Sequence, residues 1–260
     1  MKVRFAVVVP ALALAVPALA DYVPGAALIN PAITGNIQYD GWIGLTSANY
    51  AGYGSFPGSG SWPAPIGSNR TLANTFNTNE SGDAVLAKVA NGVGGGAFLS
   101  GSSVYFGNFS TDPNTLGGTL ALSDATPVTG VRNVIAQIQI GEAFGFDFFN
   151  HILPTLSYNG GAQSLPATFS TITDRFYNGT FDSPVGPQPI YINTYVLQWD
   201  LTGVAAPVTG FSVSFSGVSH SQVYGARLDQ SDVYSAIPAP GVAALGALGG
   251  LVAVRRRRSV

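Results

Sequence analysis

The side chains able to do chemistry in this sequence are few, and most are oxygen donors. Thirteen carboxylates and two histidines stand beside no cysteine. Without cysteine there is no thiol nucleophile and no Cys-based zinc or iron–sulfur site. The segment Asn77-Thr78-Asn79-Glu80-Ser81-Gly82-Asp83 sets oxygen-bearing side chains at alternate positions, Asn77, Asn79, Ser81 and Asp83, with Gly82 for a turn. Calcium takes roughly six to eight hard oxygens on a flexible loop, so these four are candidate metal ligands and calcium is the one cofactor they suit. Their order is not that of an EF-hand, and the same residue types also build an ordinary turn into a strand.

Two further groupings could act on or hold a ligand. Glu142 and Asp147 flank Phe144 and Phe146, and Asp200 follows Trp199. A glycoside hydrolase needs an acid and a base or nucleophile on opposite sides of one bond, which makes this pair the hydrolytic alternative. The histidines, His151 and His220, form no HExxH motif. Gly217-Val218-Ser219-His220-Ser221 comes nearest to a nucleophile elbow, but it ends in serine and lies in a strand pattern. The second grouping is the Gly/Ser/Pro-rich stretch Asn49–Asn69, which carries Tyr53, Phe56 and Trp62. Their flat rings could stack on the C–H face of a sugar, or they could cap the open edge of a core. Long structureless loops inside a domain are often functional.

The elements that must position these groups are strands. Val134, Ala136, Ile138 and Ile140 alternate with Gln137 and Gln139, so Asn133–Glu142 reads as the central strand. Tyr195, Leu197, Trp199 and Leu201 alternate strictly and should face the interior, as should Phe211, Val213 and Phe215, which alternate with Ser212, Ser214 and Ser216. Further candidates begin near Ile37, Tyr39 and Trp42, and cover Ala84–Val89, Ala97–Phe106, Gly118–Leu122, Ile152–Tyr158, Ala167–Phe176 and Val218–Gln230, with Phe144–Phe149 as an aromatic continuation of the central strand. Ser183–Pro189, with three prolines, reads as a loop, and one short helix is expected near Asn150. Short β-branched and aromatic runs between Gly/Pro/Asn turns predict an all-β fold, an antiparallel β-sandwich of jelly-roll type. Charged residues are only 9%, but aromatics reach 11%, more than a disordered chain carries.

Both ends differ from the middle. Lys2 and Arg4 precede an apolar run from Phe5 to Val16, and Ala18-Leu19-Ala20 is a small-x-small cleavage pattern. Residues 1–20 therefore read as a signal helix, cut between Ala20 and Asp21 with Ala18 and Ala20 as the recognised residues. At the other end Pro238-Ala239-Pro240 is followed by Gly241–Val254, which has no polar side chain, and by Arg255, Arg256, Arg257 and Arg258. The prolines break whatever precedes them. The apolar run is a short membrane helix, and positive-inside preference keeps the arginines cytoplasmic. Residues 21–236 are left as one domain, with residues 237–260 as the tail. Five basic residues then face all thirteen acids in the domain, a net of −8 that argues against nucleic acid as a partner.

A proline-bracketed motif, an apolar helix and an arginine-rich end resemble the PEP-CTERM sorting signal of bacterial envelope proteins. Pro238, Ala239 and Pro240 stand at the motif positions, with Ala239 where that family has glutamate, and the Pro-Ala-Pro-Gly opening resembles a planctomycete-like variant. The resemblance covers the tail alone. It implies a signal peptidase, an exosortase-type processing enzyme and the inner membrane as transient partners, and a destination at the cell surface or in the extracellular matrix. The reading of the whole chain is an exported, non-enzymatic surface or matrix protein that binds polysaccharide, with exopolysaccharide as its partner. A secreted carbohydrate-active enzyme using Glu142 and Asp147 is the alternative.

Overall fold

The computed structural model describes residues 24, 26–69, 81–183 and 186–237. The expected signal helix with Ala18 and Ala20 lies outside the described residues, as does the tail from Pro238 through Arg258. Asn77 and Asn79 also lie outside them. Among the described residues the chain forms thirteen strands. They are β1 (Ile37–Trp42), β2 (Ile66–Gly67), β3 (Val85–Asn91), β4 (Ala97–Leu99), β5 (Val104–Phe106), β6 (Leu116–Asp124), β7 (Asn133–Gly141), β8 (Thr155–Tyr158), β9 (Leu165–Pro166), β10 (Phe169–Ser183), β11 (Gly186–Asp200), β12 (Phe211–Val218) and β13 (Gln222–Ser231). No α-helix occurs among the described residues, and the short helix expected near Asn150 is a single 3-10 turn, Phe149–His151. No helix among them is long and apolar enough to cross a membrane.

The strands make two antiparallel sheets, a β-sandwich-like all-β fold. One runs β10-β11-β7-β13-β5-β4, with β1 also paired to β13; the other runs β2-β3-β6-β12-β8-β9. Alternation decides which side chains enter the core between them. Phe211, Val213 and Phe215 are buried from β12, and Leu197, Trp199 and Leu201 from β11 and its end. Tyr195 is half-buried and packs against the same cluster. The opposite face of β12 is a hydroxyl ladder, with Ser212 on Ser123 at 2.9 Å and Ser216 on Thr119 at 2.8 Å. Each indole N–H finds a carbonyl: Trp42 on Ile66 and Trp199 on Leu165 at 2.9 Å, Trp62 on Ala97 at 3.0 Å. These bonds spare the buried rings an unsatisfied donor.

Four segments depart from the expectation. Ala97–Phe106 is not one strand but the hairpin of β4 and β5, turned by Ser100–Ser103. Val218–Gln230 is likewise split: β12 runs to Val218, a turn places His220 at φ 71°, and β13 begins at Gln222. Phe144–Phe149 does not extend β7; Ala143 and Phe146 close a tight turn instead. The proline-rich stretch expected to be a loop closes a long hairpin, with Pro187 opposite Asp182 and Pro189 opposite Thr180. A proline has no N–H to give, so both occupy non-hydrogen-bonded pairs with the nitrogen turned away from β10. Among the described residues no strand pairs with β11 on that side beyond Ile192, where its pairing with β7 ends.

The central strand also departs from simple alternation. Gln137 and Gln139, read as its outer face, are fully buried. The leader covers Gln137: Ile29 N–H donates to Gln137 Oε1 at 2.9 Å, and Gln137 Nε2 donates to the Ile29 carbonyl at 2.6 Å, while Gln139 Nε2 donates to the Thr194 hydroxyl at 3.4 Å. Beside them lies a buried ion pair, Arg227 on Asp229 at 2.6 Å, with Arg227 also bonded to Asn30 and stacked over Tyr39 at 4.3 Å. The end of the domain closes the same face, where Gln198 bonds the Ser235 carbonyl and receives the Ile237 N–H.

Trp199 is 1% exposed and central to the core. Replacing it with alanine should cost about 3–5 kcal/mol of unfolding free energy, measured by chemical denaturation. A loss below about 1 kcal/mol would mean that the ring does not pack as described.

Candidate functional site

The cavity of interest opens where β7 ends. It holds about 530 Å³ and is walled by Phe144, Phe181 and Ile190, with Glu142, His220 and Gln222 among its polar residues. Three local features build it. Glu142 leaves the end of β7. The hairpin of β10 and β11 runs on past that end, bringing Phe181 and Ile190. The turn from β12 to β13 brings His220 and Gln222.

Glu142 is held firmly. Its Oε1 accepts from Arg175 at 3.0 Å and from Asn193 Nδ2 at 2.8 Å, and its side chain is 8% exposed. Arg175 also stacks over Tyr191 at 4.1 Å. Asp147, the other half of the expected pair, does not line the cavity. It is buried, accepts the Tyr195 hydroxyl at 2.6 Å and its own neighbour's N–H at 2.6 Å, and shares Asn193 Nδ2 with Glu142 at 3.1 Å. Burial, and then the Asp147 carboxylate, push the Tyr195 phenol up, so it stays protonated and donates. The two carboxylates therefore sit side by side on one amide nitrogen, not on opposite sides of a space for a bond. Asp200 is placed elsewhere, bonding Thr202 beyond the end of β11.

His220 lines the same cavity, which spacing alone did not indicate. Its Nε2 lies 3.3 Å from the Ser110 carbonyl and its Nδ1 2.7 Å from the Tyr105 hydroxyl. A carbonyl only accepts, so Nε2–H donates to Ser110, and Nδ1 shares a hydrogen bond with the Tyr105 hydroxyl. Both nitrogens are thereby engaged, and the ring forms part of the cavity wall. The other histidine, His151, stacks on Phe146 at 4.6 Å. Two cavity residues are strained. Phe144 (φ 54°) and Gly145 (φ 82°) form the tight turn between Ala143 and Phe146, and His220 has φ 71°. Such turns favour Asn or Gly at both central positions. A left-handed phenylalanine or histidine costs roughly 1–2 kcal/mol, and such strain collects at functional sites.

The aromatic stretch sits mostly on the core. Tyr53 and Trp62 are half-buried and meet edge to face at 5.5 Å. Trp62 also borders a shallow recess of about 280 Å³ beside Lys88. Phe56 is 46% exposed and belongs to a chain of ring contacts that passes through buried Phe98. Phe109 lies 4.8 Å from it, Phe98 6.5 Å on the other side, then Tyr105 at 5.6 Å from Phe98 and His220 at 5.9 Å from Tyr105. These contacts end at the cavity.

A second cluster gathers hard oxygens. Carboxylate oxygens of Asp40, Asp83 and Asp124 lie within 4.8 Å of one another. Of the four predicted metal ligands, Ser81 and Asp83 are here, with Ser81 Oγ bonded to Asp40 and Gly82 N–H donating to Asp40 at 2.9 Å. Asp40 and Asp124 were missed. The signal was available, because each is an acid in an apolar phase: Asp40 two residues before buried Trp42, and Asp124 two after buried Leu122. Three carboxylates and one hydroxyl are the donor type calcium takes, though fewer than its usual set. Protein donors also serve them, Gln230 on Asp124 and Thr126 on Asp83.

Burial raises the Asp40 carboxyl to about 6, with the Asp83 charge adding to it, and burial also raises Asp124. An acid raised in the folded state binds its proton more tightly there, so its contribution to stability is greatest at low pH and is lost as pH rises from about 4 through about 6. Asp229, raised to about 6 by burial, acts in the same direction. Asp40→Asn should remove part of this slope and raise Tm at pH 7.5 by a few degrees, read by calorimetry across pH. An unchanged slope would show that Asp40 titrates normally. Compared with known proteins, the chain matches no family model, no curated protein and no solved structure.

Proposed function

We propose that this chain is an exported, non-enzymatic cell-surface or extracellular-matrix protein whose β domain binds polysaccharide. The observation that carries the binding half is the cavity at the end of β7, where strained rings face fixed polar groups in a volume suited to a small ligand or a glycan segment. Binding is preferred to hydrolysis because, among the described side chains, Glu142 is the one carboxylate lining the cavity: Asp147 is buried and tied to Tyr195. The reading needs no cofactor; calcium at Asp40, Asp83 and Asp124 is the metal the domain would accommodate. We also read the two sheets as jelly-roll-like, because the chain crosses repeatedly from one sheet to the other.

Export and sorting rest on the sequence of the two ends. The signal peptide is removed by signal peptidase after Ala20. The Pro238-Ala239-Pro240 tail holds the protein in the inner membrane until an exosortase-type enzyme passes it outward. A surface rich in polysaccharide is where such a protein is delivered, and weak single sites suffice there, since many copies act together.

A glycan array probed with the full chain tests the binding half: bound glycan with no release of reducing ends is the expected result, and release of reducing ends would favour the hydrolase. Deleting Pro238–Val260 tests the sorting half. The truncated protein should appear in the periplasm or medium, and neutral residues in place of Arg255–Arg258 should impair retention. Normal surface display of the truncated protein would rule out the tail as the sorting signal.

A further inference from the structure

We propose that the cavity at the end of β7 is a subsite for neutral sugar residues and rejects acidic ones. The inference rests on the polysaccharide-binding reading and adds the class of sugar. Its apolar wall is Phe144, Phe181 and Ile190, with the two rings edge to face at 5.3 Å. Such faces suit the C–H side of a pyranose. The polar groups around them suit hydroxyls. Glu142 retains lone pairs on Oε2, whose single contact is Arg175 at 3.4 Å. A charged acceptor makes strong hydrogen bonds to hydroxyl donors. Gln222 spends its Oε1 on Ser103 at 2.7 Å, which leaves its Nε2 to donate. The Tyr105 hydroxyl spends one of its donor and acceptor sites on His220 and keeps another for a ligand. Donors and acceptors are thus both present, as a polyol requires.

Charge decides against an acidic sugar. No lysine or arginine lines the cavity among the described residues. The nearest cation, Arg175, is already paired with Glu142 and stacked on Tyr191. A sugar carboxylate would therefore meet the Glu142 charge in a half-enclosed space with no counter-ion of its own, and like charges discriminate strongly there. The Phe144 turn gives independent support. A phenylalanine stands at φ 54°, where asparagine or glycine would fit without strain, and its ring is what walls the cavity. Phe56 and Phe109, both exposed, pack edge to face at 4.8 Å on the same loop side, while Phe98 between them and Tyr105 is buried.

The test is calorimetric titration of the full chain, in a detergent without sugar head groups, with neutral gluco-, manno- and galacto-oligosaccharides and with oligogalacturonate. At least one neutral series should bind, and oligogalacturonate should not. Phe181 is exposed on the hairpin, so Phe181→Ala should fold normally and weaken neutral binding by about tenfold or more. Phe144→Asn should weaken it similarly while Tm holds or rises, because the strain is relieved. Glu142→Gln should admit oligogalacturonate. Wild-type binding of oligogalacturonate as tight as that of the neutral series would overturn the neutral-sugar inference and leave polysaccharide binding standing. So would neutral binding unaffected in both Phe181→Ala and Phe144→Asn. If neither class binds, the polysaccharide-binding reading fails as well.

Discussion

Strand β7 is buried along its whole length, and its two faces are satisfied in different ways. Toward the second sheet it presents Val134, Ala136, Ile138 and Ile140 to the hydrophobic core. Toward the outside it presents Gln137 and Gln139, whose amides cannot be left dry and unbonded without a cost of about 1–3 kcal/mol each. The leader meets that demand at Gln137, with Ile29 giving and taking one hydrogen bond, and Thr194 of β11 accepts from Gln139. The neighbouring Arg227–Asp229 pair depends on the same cover through Asn30 and Tyr39. Everything else in the larger sheet is arranged around this strand, since β11 and β13 pair with it over nearly its full length.

The end of β7 creates the cavity for the same reason. At Gly141 the strand is paired with Ile192 on one side and Gln222 on the other. Beyond it the central position is empty, while the hairpin of β10 and β11 continues. Pro187 and Pro189 keep that continuation from seeking another strand on its open side, as prolines at a sheet edge commonly do. The strained turn at Phe144 and the turn at His220 then fill the sides with rings. Strain in two turns that face one space is easier to understand as shaping that space than as accident, because asparagine at either position would remove it.

The acidic cluster shows the opposite economy. Asp40 and Asp124 occupy core-phase positions on β1 and β6, where leucine would pack without desolvating a charge. The fold tolerates them through hydrogen bonds from Ser81, Gly82, Thr126 and Gln230, and through protonation that burial makes easier. These bonds also pin the start of β3 against β1 and the end of β6.

Much of the sheet framework was legible in the sequence, because alternation is a local property. Trp199, Leu197, Phe211, Val213 and Phe215 declare their inward phase without reference to any partner strand, and the structure buries them all. The apolar ends and their flanking charges are equally local. What tertiary structure decided is which distant residues meet. Nothing near Asp83 in the chain announces Asp40 or Asp124, since their approach depends on the order of β1, β3 and β6 in two sheets. Spacing set Glu142 and Asp147 near each other, but not that the turn at Phe144 brings both to one Asn193 amide, with Glu142 lining the cavity and Asp147 buried on Tyr195. Gln137 and Gln139 looked exposed because alternation says which face a residue takes and not what covers that face. Sheet order, register and the path of the leader set those contacts, and they arise from pairings across the whole chain.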